Sequence, residues 1–231
     1  AGLAEDIERP EFQCPQSKRR FTRVHLPLLF RDGSQTLKGA EDAAFSAELN
    51  DVLKAELGRP IVETVAGPDN RLQWEGAVLP DLNLDRLSTQ TRSKDGRIPI
   101  SLQAINAAFS GNANFDSATV SGHARFNSAA FSGYASFESV TFSGDAVFAN
   151  AAFSGDAIFD SAAFSGNTNF DSAVFSGYAI FESAAFSRGA IFEIATFSGD
   201  AWFDNAAFSE DACFASAAFS GEAHFNCAVF L

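Results

Sequence analysis

Five acidic residues, Asp116, Glu138, Asp160, Glu182 and Asp204, recur at intervals of 22, and Asn226 takes the next place in the series. Carboxylates at a fixed interval can bind cations, meet a basic surface, or keep a protein apart from its neighbours by charge. The interleaved series, Asn127, Ala149, Asp171, Glu193 and Ala215, is mixed, so alternate units are read as occupying different faces. These five acids are the candidate interaction face. Other reactive residue types form no constellation. Serine recurs every eleventh residue from Ser110 to Ser220, which is too regular for a nucleophile and reads as a ladder of turns. His25, His123 and His224 are scattered, with no acid or nucleophile at triad spacing. Cys14, Cys213 and Cys227 have neither disulfide-framework nor metal-ligand spacing and are read as free thiols. There is no phosphate loop. Lys18-Arg19-Arg20 with Arg23 reads as a solvated loop. No catalytic residue, no cofactor and no metal is expected.

The elements that must position these acids are set by a short period. From Phe109 to Phe230 a phenylalanine recurs alternately every five and six residues, and of the 23 positions in that rhythm only Val120 is not Phe. The unit is eleven residues, as in Ala157-Ile158-Phe159-Asp160-Ser161-Ala162-Ala163-Phe164-Ser165-Gly166-Asn167. A short fixed period means a solenoid whose units contact only their neighbours. Ala-x-Phe is a period of two, so Ala and Phe point inward from a very short strand and x points out. Ser, Gly, Asp, Asn and Glu, which favour turns, follow each Phe.

One unit per coil would face two columns of rings across too narrow a core; two units give 22 residues, four sides and four inward Phe. The 44-residue spacing between Ser132–Ser139 and Ser176–Ser183 agrees with 22, whereas the likeness of Asn112–Ser117 to Asn167–Ser172 at a spacing of 55 does not. Stacked Phe columns, including Phe131, Phe142, Phe153, Phe159, Phe164, Phe175, Phe186 and Phe197, are the expected structural core.

Composition splits the chain near residue 100. Residues 1–108 hold 16 acids and 14 bases; residues 109–231 hold 13 acids against Arg125 and Arg188 alone, a net of −11 within the whole chain's −13. Such a field argues against direct nucleic-acid binding and for a basic partner or solubility. No apolar run is long enough for a membrane span. The expected division is a non-repetitive α+β capping region over 1–100 and a β-helix over 101–231. A helix is expected over Gly39–Leu57, strands over Arg23–Phe30, Ile61–Val65 and Leu72–Leu79, a degenerate first coil around Leu79–Leu84, and an excursion over Ser88–Arg97. Phe230-Leu231 stands in mid-repeat, so either the chain is a piece or its last coil packs on something such as a second copy.

Ala-x-Phe-x-x followed by Ala-x-Phe-Ser-Gly resembles two consecutive pentapeptide repeats over about 125 of the 231 residues. The resemblance implies an all-β solenoid, a right-handed quadrilateral β-helix with four repeats per coil and small and bulky residues inward. This chain departs by one extra residue after each Gly, for example Asp156, Asn167 and Tyr178, which enlarges two of four corners. Glycine there is expected at positive φ. Arg188 and Glu210 replace it, with Gly189 read as compensating, and those two corners are expected to differ in shape. The expected function is a non-catalytic structural or protein-interaction rod in the cytoplasm, presenting an acidic surface to a protein partner and self-associating through its C-terminal coil. The alternative implied by quinolone-resistance members of the family is a DNA mimic that occupies the DNA-binding saddle of a type II topoisomerase (gyrase).

Overall fold

The computed structural model describes residues 101–231 in full, together with the backbone of Pro10–Gln13, Arg20–Thr22, Arg71–Gln73, Val78–Leu79, Leu82–Asn83, Gln90–Ser93 and Gly96–Pro99. The expected helix over Gly39–Leu57, the strands over Arg23–Phe30 and Ile61–Val65, and the α+β cap lie outside the described residues.

From Ala108 onward the strands are two residues long, and each pairs in parallel with the strand 22 residues away, as Ala113 does with Ala135 and Phe131 with Phe153. Twenty-two residues is therefore one coil, as the packing estimate required. The spacing of 55 is two and a half coils, so that likeness relates opposite faces. The right-handed coil has four parallel sheets. The first face contains Ala113–Asn114, the second Thr119–Val120, the third Ala124–Arg125 and the fourth Ala130–Phe131, after which the chain returns to the first face at Ala135–Ser136. Three of the sheets continue below residue 101: Arg71–Gln73 pairs with Ser101–Gln103, Val78–Leu79 with Ala108–Phe109, and Leu82–Asn83 with Ala113–Asn114. The degenerate first coil thus exists, and Gln90–Ser93 and Gly96–Pro99 form an antiparallel hairpin within the polar excursion.

Inside, the rings stack. Phe115, Phe137, Phe159, Phe181, Phe203 and Phe225 form one column with centroids 4.8–4.9 Å apart and planes within 5°. Three further columns run through Phe109, Phe126 and Phe142, the last beginning at Val120. The sheet spacing of ~4.8 Å sets this separation, because every ring sits at the same register of its coil. Neighbouring columns meet edge-on, as Phe137 and Phe148 do at 5.5 Å and 82°. Stacking along the axis and edge contact across it use both favourable geometries of an aromatic pair. Every Phe of the repeat from Phe109 to Phe208 is buried, with alanines such as Ala113 and Ala118 filling the tapered gaps.

The two kinds of corner are built differently. At Phe-x-x the Phe carbonyl accepts the N–H three residues on, as in Ala118 N to Phe115 O at 3.0 Å, and the residue before that N–H has positive φ, as in a type II turn. Ser, Asn or Cys fills that place in every coil except at Ile194, φ 57°. Glycine at the other corner is not at positive φ, contrary to the sequence expectation. Its reason is close approach. A Cβ on Gly155 would stand 2.7 Å from the carbonyl oxygen of Gly133 in the coil below, and one on Gly199 2.5 Å from that of Gly177. At these glycines successive coils approach each other backbone to backbone. Gly189 has neither positive φ nor a close neighbour, so it does not compensate for Arg188.

Candidate interaction face

Asp116, Glu138, Asp160, Glu182 and Asp204 stand at the turn between the first and second faces, one per coil. Their own carbonyls fix them: Ser117 N–H donates to Glu138 O, Ser139 to Asp160 O, Ser161 to Glu182 O and Ser183 to Asp204 O, each at 2.8 Å. The positive-φ residue directs its N–H along the rod axis, so the turn that needs a left-handed residue also locks the acid in the next coil. The mixed series, Asn127, Ala149, Asp171, Glu193 and Ala215, occupies the opposite turn between the third and fourth faces.

The end members of the acidic series have side-chain partners. Asp116 accepts from Asn114 Nδ2 at 3.0 Å, from the Glu138 N–H at 3.2 Å, and from the Ser136 hydroxyl. Asp204 accepts the Asn226 N–H at 2.8 Å and its amide at 3.0 Å. The Asn226 side chain chiefly holds the Asp204 carboxyl below the ordinary aspartate range; slight desolvation opposes it, and the Asn226 N–H and His224 assist. Charge repulsion up the column is therefore relieved at both ends by donors from the adjacent coil.

The enlarged corners add a second use for side-chain oxygens, one the sequence reading missed. The inserted residue's N–H falls outside the strand ladder. Asp145 Oδ1 accepts it from Asn167, Asp156 Oδ1 from Tyr178, and Asp200 Oδ1 from Glu222, each at 2.9 Å. His123 Nδ1 does the same for Asp145 at 3.1 Å. Asp and Asn at this position are structural acceptors as well as surface charge, a role visible in the sequence only as their frequency after Gly.

Charge is unevenly placed. Of the 13 acids after residue 108, Asp116, Glu138, Asp160, Glu182, Asp204, Asp156, Asp200 and Glu222 border the first face, eight in all. Neither arginine does: Arg125 projects from the third face, and Arg188 lies at the corner between second and third, where Glu210 one coil on meets it at 2.8 Å. Between the two acidic rows lies a strip the sequence reading did not single out. Its outward residues are Asn114, Ser136, Ile158, Ile180, Trp202 and His224.

Among the described residues no group of three or more His, Cys, Asp or Glu side chains is placed to hold a metal. Cys213 and Cys227 carry free thiols on different sides of the coil. Among the same residues no helix is long and apolar enough to cross a membrane.

Residues 104–152 match the model of the family described as pentapeptide repeats, with nine copies. No curated protein and no solved structure matches the chain.

Proposed function

We propose that this pentapeptide-repeat β-solenoid is a non-catalytic scaffold that presents an acidic surface to a protein partner. The observation that carries the reading is the placement of eight of 13 acids along one face with no Lys or Arg between them, on a rod whose interior is filled by Phe and Ala. Chemistry would need convergent groups; this geometry spreads them in rows. Rows of one sign raise the encounter rate with an oppositely charged surface and discriminate against the wrong sign. Free thiols at Cys213 and Cys227 suit a reducing compartment, the cytoplasm. The rest of residues 1–100, outside the coil strands Arg71–Gln73, Val78–Leu79 and Leu82–Asn83, acts on this reading as the cap of the solenoid's first coil.

Affinity capture from the native cell tests it. Wild type is compared with a variant carrying Asp116→Asn, Glu138→Gln, Asp160→Asn, Glu182→Gln and Asp204→Asn. A partner that is retained by wild type, released by salt and lost from the variant supports the scaffold. Capture that ignores both salt and the five substitutions removes the acidic surface from the function.

Two finer readings have their own tests. On the last coil Phe225, Val229, Phe230 and Leu231 are exposed, at 36%, 45%, 56% and 83%, beside unpaired strand edges. Such an edge pairs with another layer of strands, and a second copy would supply one. Sedimentation of the chain and of a Phe230→Lys variant reads this directly, since only a dimer through that coil would be lost. The DNA-mimic alternative draws on the same acidic column. A gyrase supercoiling assay decides it: no inhibition at micromolar protein ends that reading.

A further inference from the structure

Going up the first face, the outward residues change character. Asn114 and Ser136 belong to a polar network with Asp116. Above them come Ile158, Ile180 and Trp202, all half-buried, then His224. Tyr178, at the adjoining corner and 48% exposed, meets Trp202 edge-on at 5.1 Å, and Trp202 stacks on His224 at 5.6 Å with planes 5° apart. The result is a preformed ridge, apolar over the three coils of Ile158, Ile180 and Trp202 and topped by His224, whose Nε2 lies 3.3 Å from Glu222 Oε2. Asp160, Glu182 and Asp204 border it on one side; Asp156, Asp200 and Glu222 border it on the other.

We propose that this ridge is a docking surface for a segment of a partner protein that carries apolar side chains along its middle and Lys or Arg along both edges. It rests on the interaction reading above and adds the face and the chemistry of its occupant. The ridge alone would accept any apolar surface. The acidic rows make the choice, because a neutral or acidic occupant would strip water from those carboxylates without pairing them. A second copy of this face brings its own acidic rows and is excluded by the same rule. The ridge is already ordered by its own stacking, so little side-chain freedom is lost on docking. The exposed Ile191 and Ile194 lie on the third face and its turn, where Asn169 and Cys213 flank Ile191 along the sheet and Arg125 and Arg188 stand among the acids, so neither a continuous apolar run nor an unmixed charge selects an occupant.

The test uses the full chain and a short fluorescein-labelled amphipathic helical peptide whose Leu stripe is bordered on both sides by Arg, read by anisotropy. The same peptide with Glu in place of Arg, and with Ser in place of Leu, supplies the controls. The Arg–Leu peptide should bind about tenfold more tightly than either control, and Trp202→Ala should weaken it by about tenfold, the loss expected for a central aromatic anchor. Ile180→Ser is the second variant, and far-UV circular dichroism confirms that both fold. Asp160→Asn/Glu182→Gln/Asp204→Asn should also weaken binding, whereas Asp171→Asn/Glu193→Gln on the opposite turn should leave it unchanged. Equal binding of the Arg–Ser peptide, equal losses from the two sets of neutralised acids, or indifference to both Trp202→Ala and Ile180→Ser would each overturn the proposal. A native partner captured equally by wild type and by the Trp202→Ala/Ile180→Ser variant would leave the scaffold reading standing and take this face out of it.

Discussion

Alanine at two glycines should move stability in opposite directions. A Cβ on Gly155 would lie 2.7 Å from Gly133 O, 2.8 Å from Gly133 C and 3.2 Å from Tyr134 N. All three are backbone atoms of the coil below, anchored by the ladder on both sides, so none can rotate away. Ordinary carbon contacts lie near ~3.5–4.0 Å, so the corner must open by several tenths of an ångström. Overpacking of this size costs about 1–3 kcal/mol. Loss of glycine's freedom in the unfolded chain returns about 0.4–1 kcal/mol. At the centre of those ranges Gly155→Ala should therefore destabilise by roughly 1.3 kcal/mol. At Gly189 the nearest atoms to an added Cβ are Asn167 Oδ1 at 3.6 Å and Asp211 O at 3.9 Å, with φ outside the left-handed range. Only the unfolded-state effect acts there, and Gly189→Ala should stabilise by about 0.4–1 kcal/mol. The gap between the variants contains no unfolded-state contribution, because the substitution is identical. Urea unfolding followed by far-UV circular dichroism measures both. Equal midpoints, or a Gly155→Ala change within ~0.5 kcal/mol of wild type, the scatter of an ordinary surface substitution, would refute the close-approach account. The chain itself bounds the cost: Arg188 and Glu210 carry side chains in the glycine column of the opposite corner, so a Cβ strains the coil without abolishing it.

Three further measurements bear on the same framework. Thr168 is 1% exposed in a column of inward alanines, and its hydroxyl has no hydrogen-bond partner, so Thr168→Val should raise the melting temperature through about 1 kcal/mol of relieved desolvation; a fall would mean the hydroxyl is satisfied. Ile194 is a β-branched residue at φ 57° and 55% exposed, so Ile194→Asn should stabilise by about 1 kcal/mol in the same assay unless its side-chain contacts outweigh the strain. The depressed Asp204 carboxyl contributes stability that is complete above the ordinary aspartate range and lost as pH falls through its lower folded value. A carbon-13 titration should show Asn226→Ala raising the Asp204 midpoint, and an unchanged midpoint would remove the amide as the cause.

The coil was legible because one steric fact repeats. Phe cannot face water 22 times over, so its spacing alone orders the sides, and the 22-residue register follows from how many rings a section can hold. The glycine at the corner was legible as a position and not as a cause. Ser-Gly-x is the signature of a left-handed turn and equally of a close approach, and only the coil beneath Gly155 distinguishes them. The left-handed residue instead follows every second Phe, that of the Phe-x-x corner, by two positions, and is mostly Ser, which a propensity reading takes for an ordinary turn former. The acidic series was found because its period matched the coil. The apolar ridge was missed because its members, Ile158, Tyr178, Ile180 and Trp202, differ in type and occupy two different places in the repeat.

That difference bears on function. In this fold the demands of stability stop at the ring columns, the backbone ladder and the corner acceptors. An outward strand residue touches mainly its counterparts one coil above and below. Along the second face those counterparts are Thr141, Ala163, Ala185, Ala207 and Val229, and along the fourth Ala108, Ala130, Ala152, Val174 and Thr196, so side chains no larger than Val suffice to build a sound sheet. Nothing in the ladder requires Ile158, Ile180 or Trp202 on the first face, and half-burying them leaves apolar area in water that a Ser or Thr would not. The fold accommodates the ridge without needing it, and the acids on either side of it coincide with the only stretch, among the described residues, where large apolar groups follow one another up one sheet. Bulk that stability does not ask for therefore meets, on this face, acids only part of which serve as corner acceptors, which is the reason to seek the partner there before any other side of the rod.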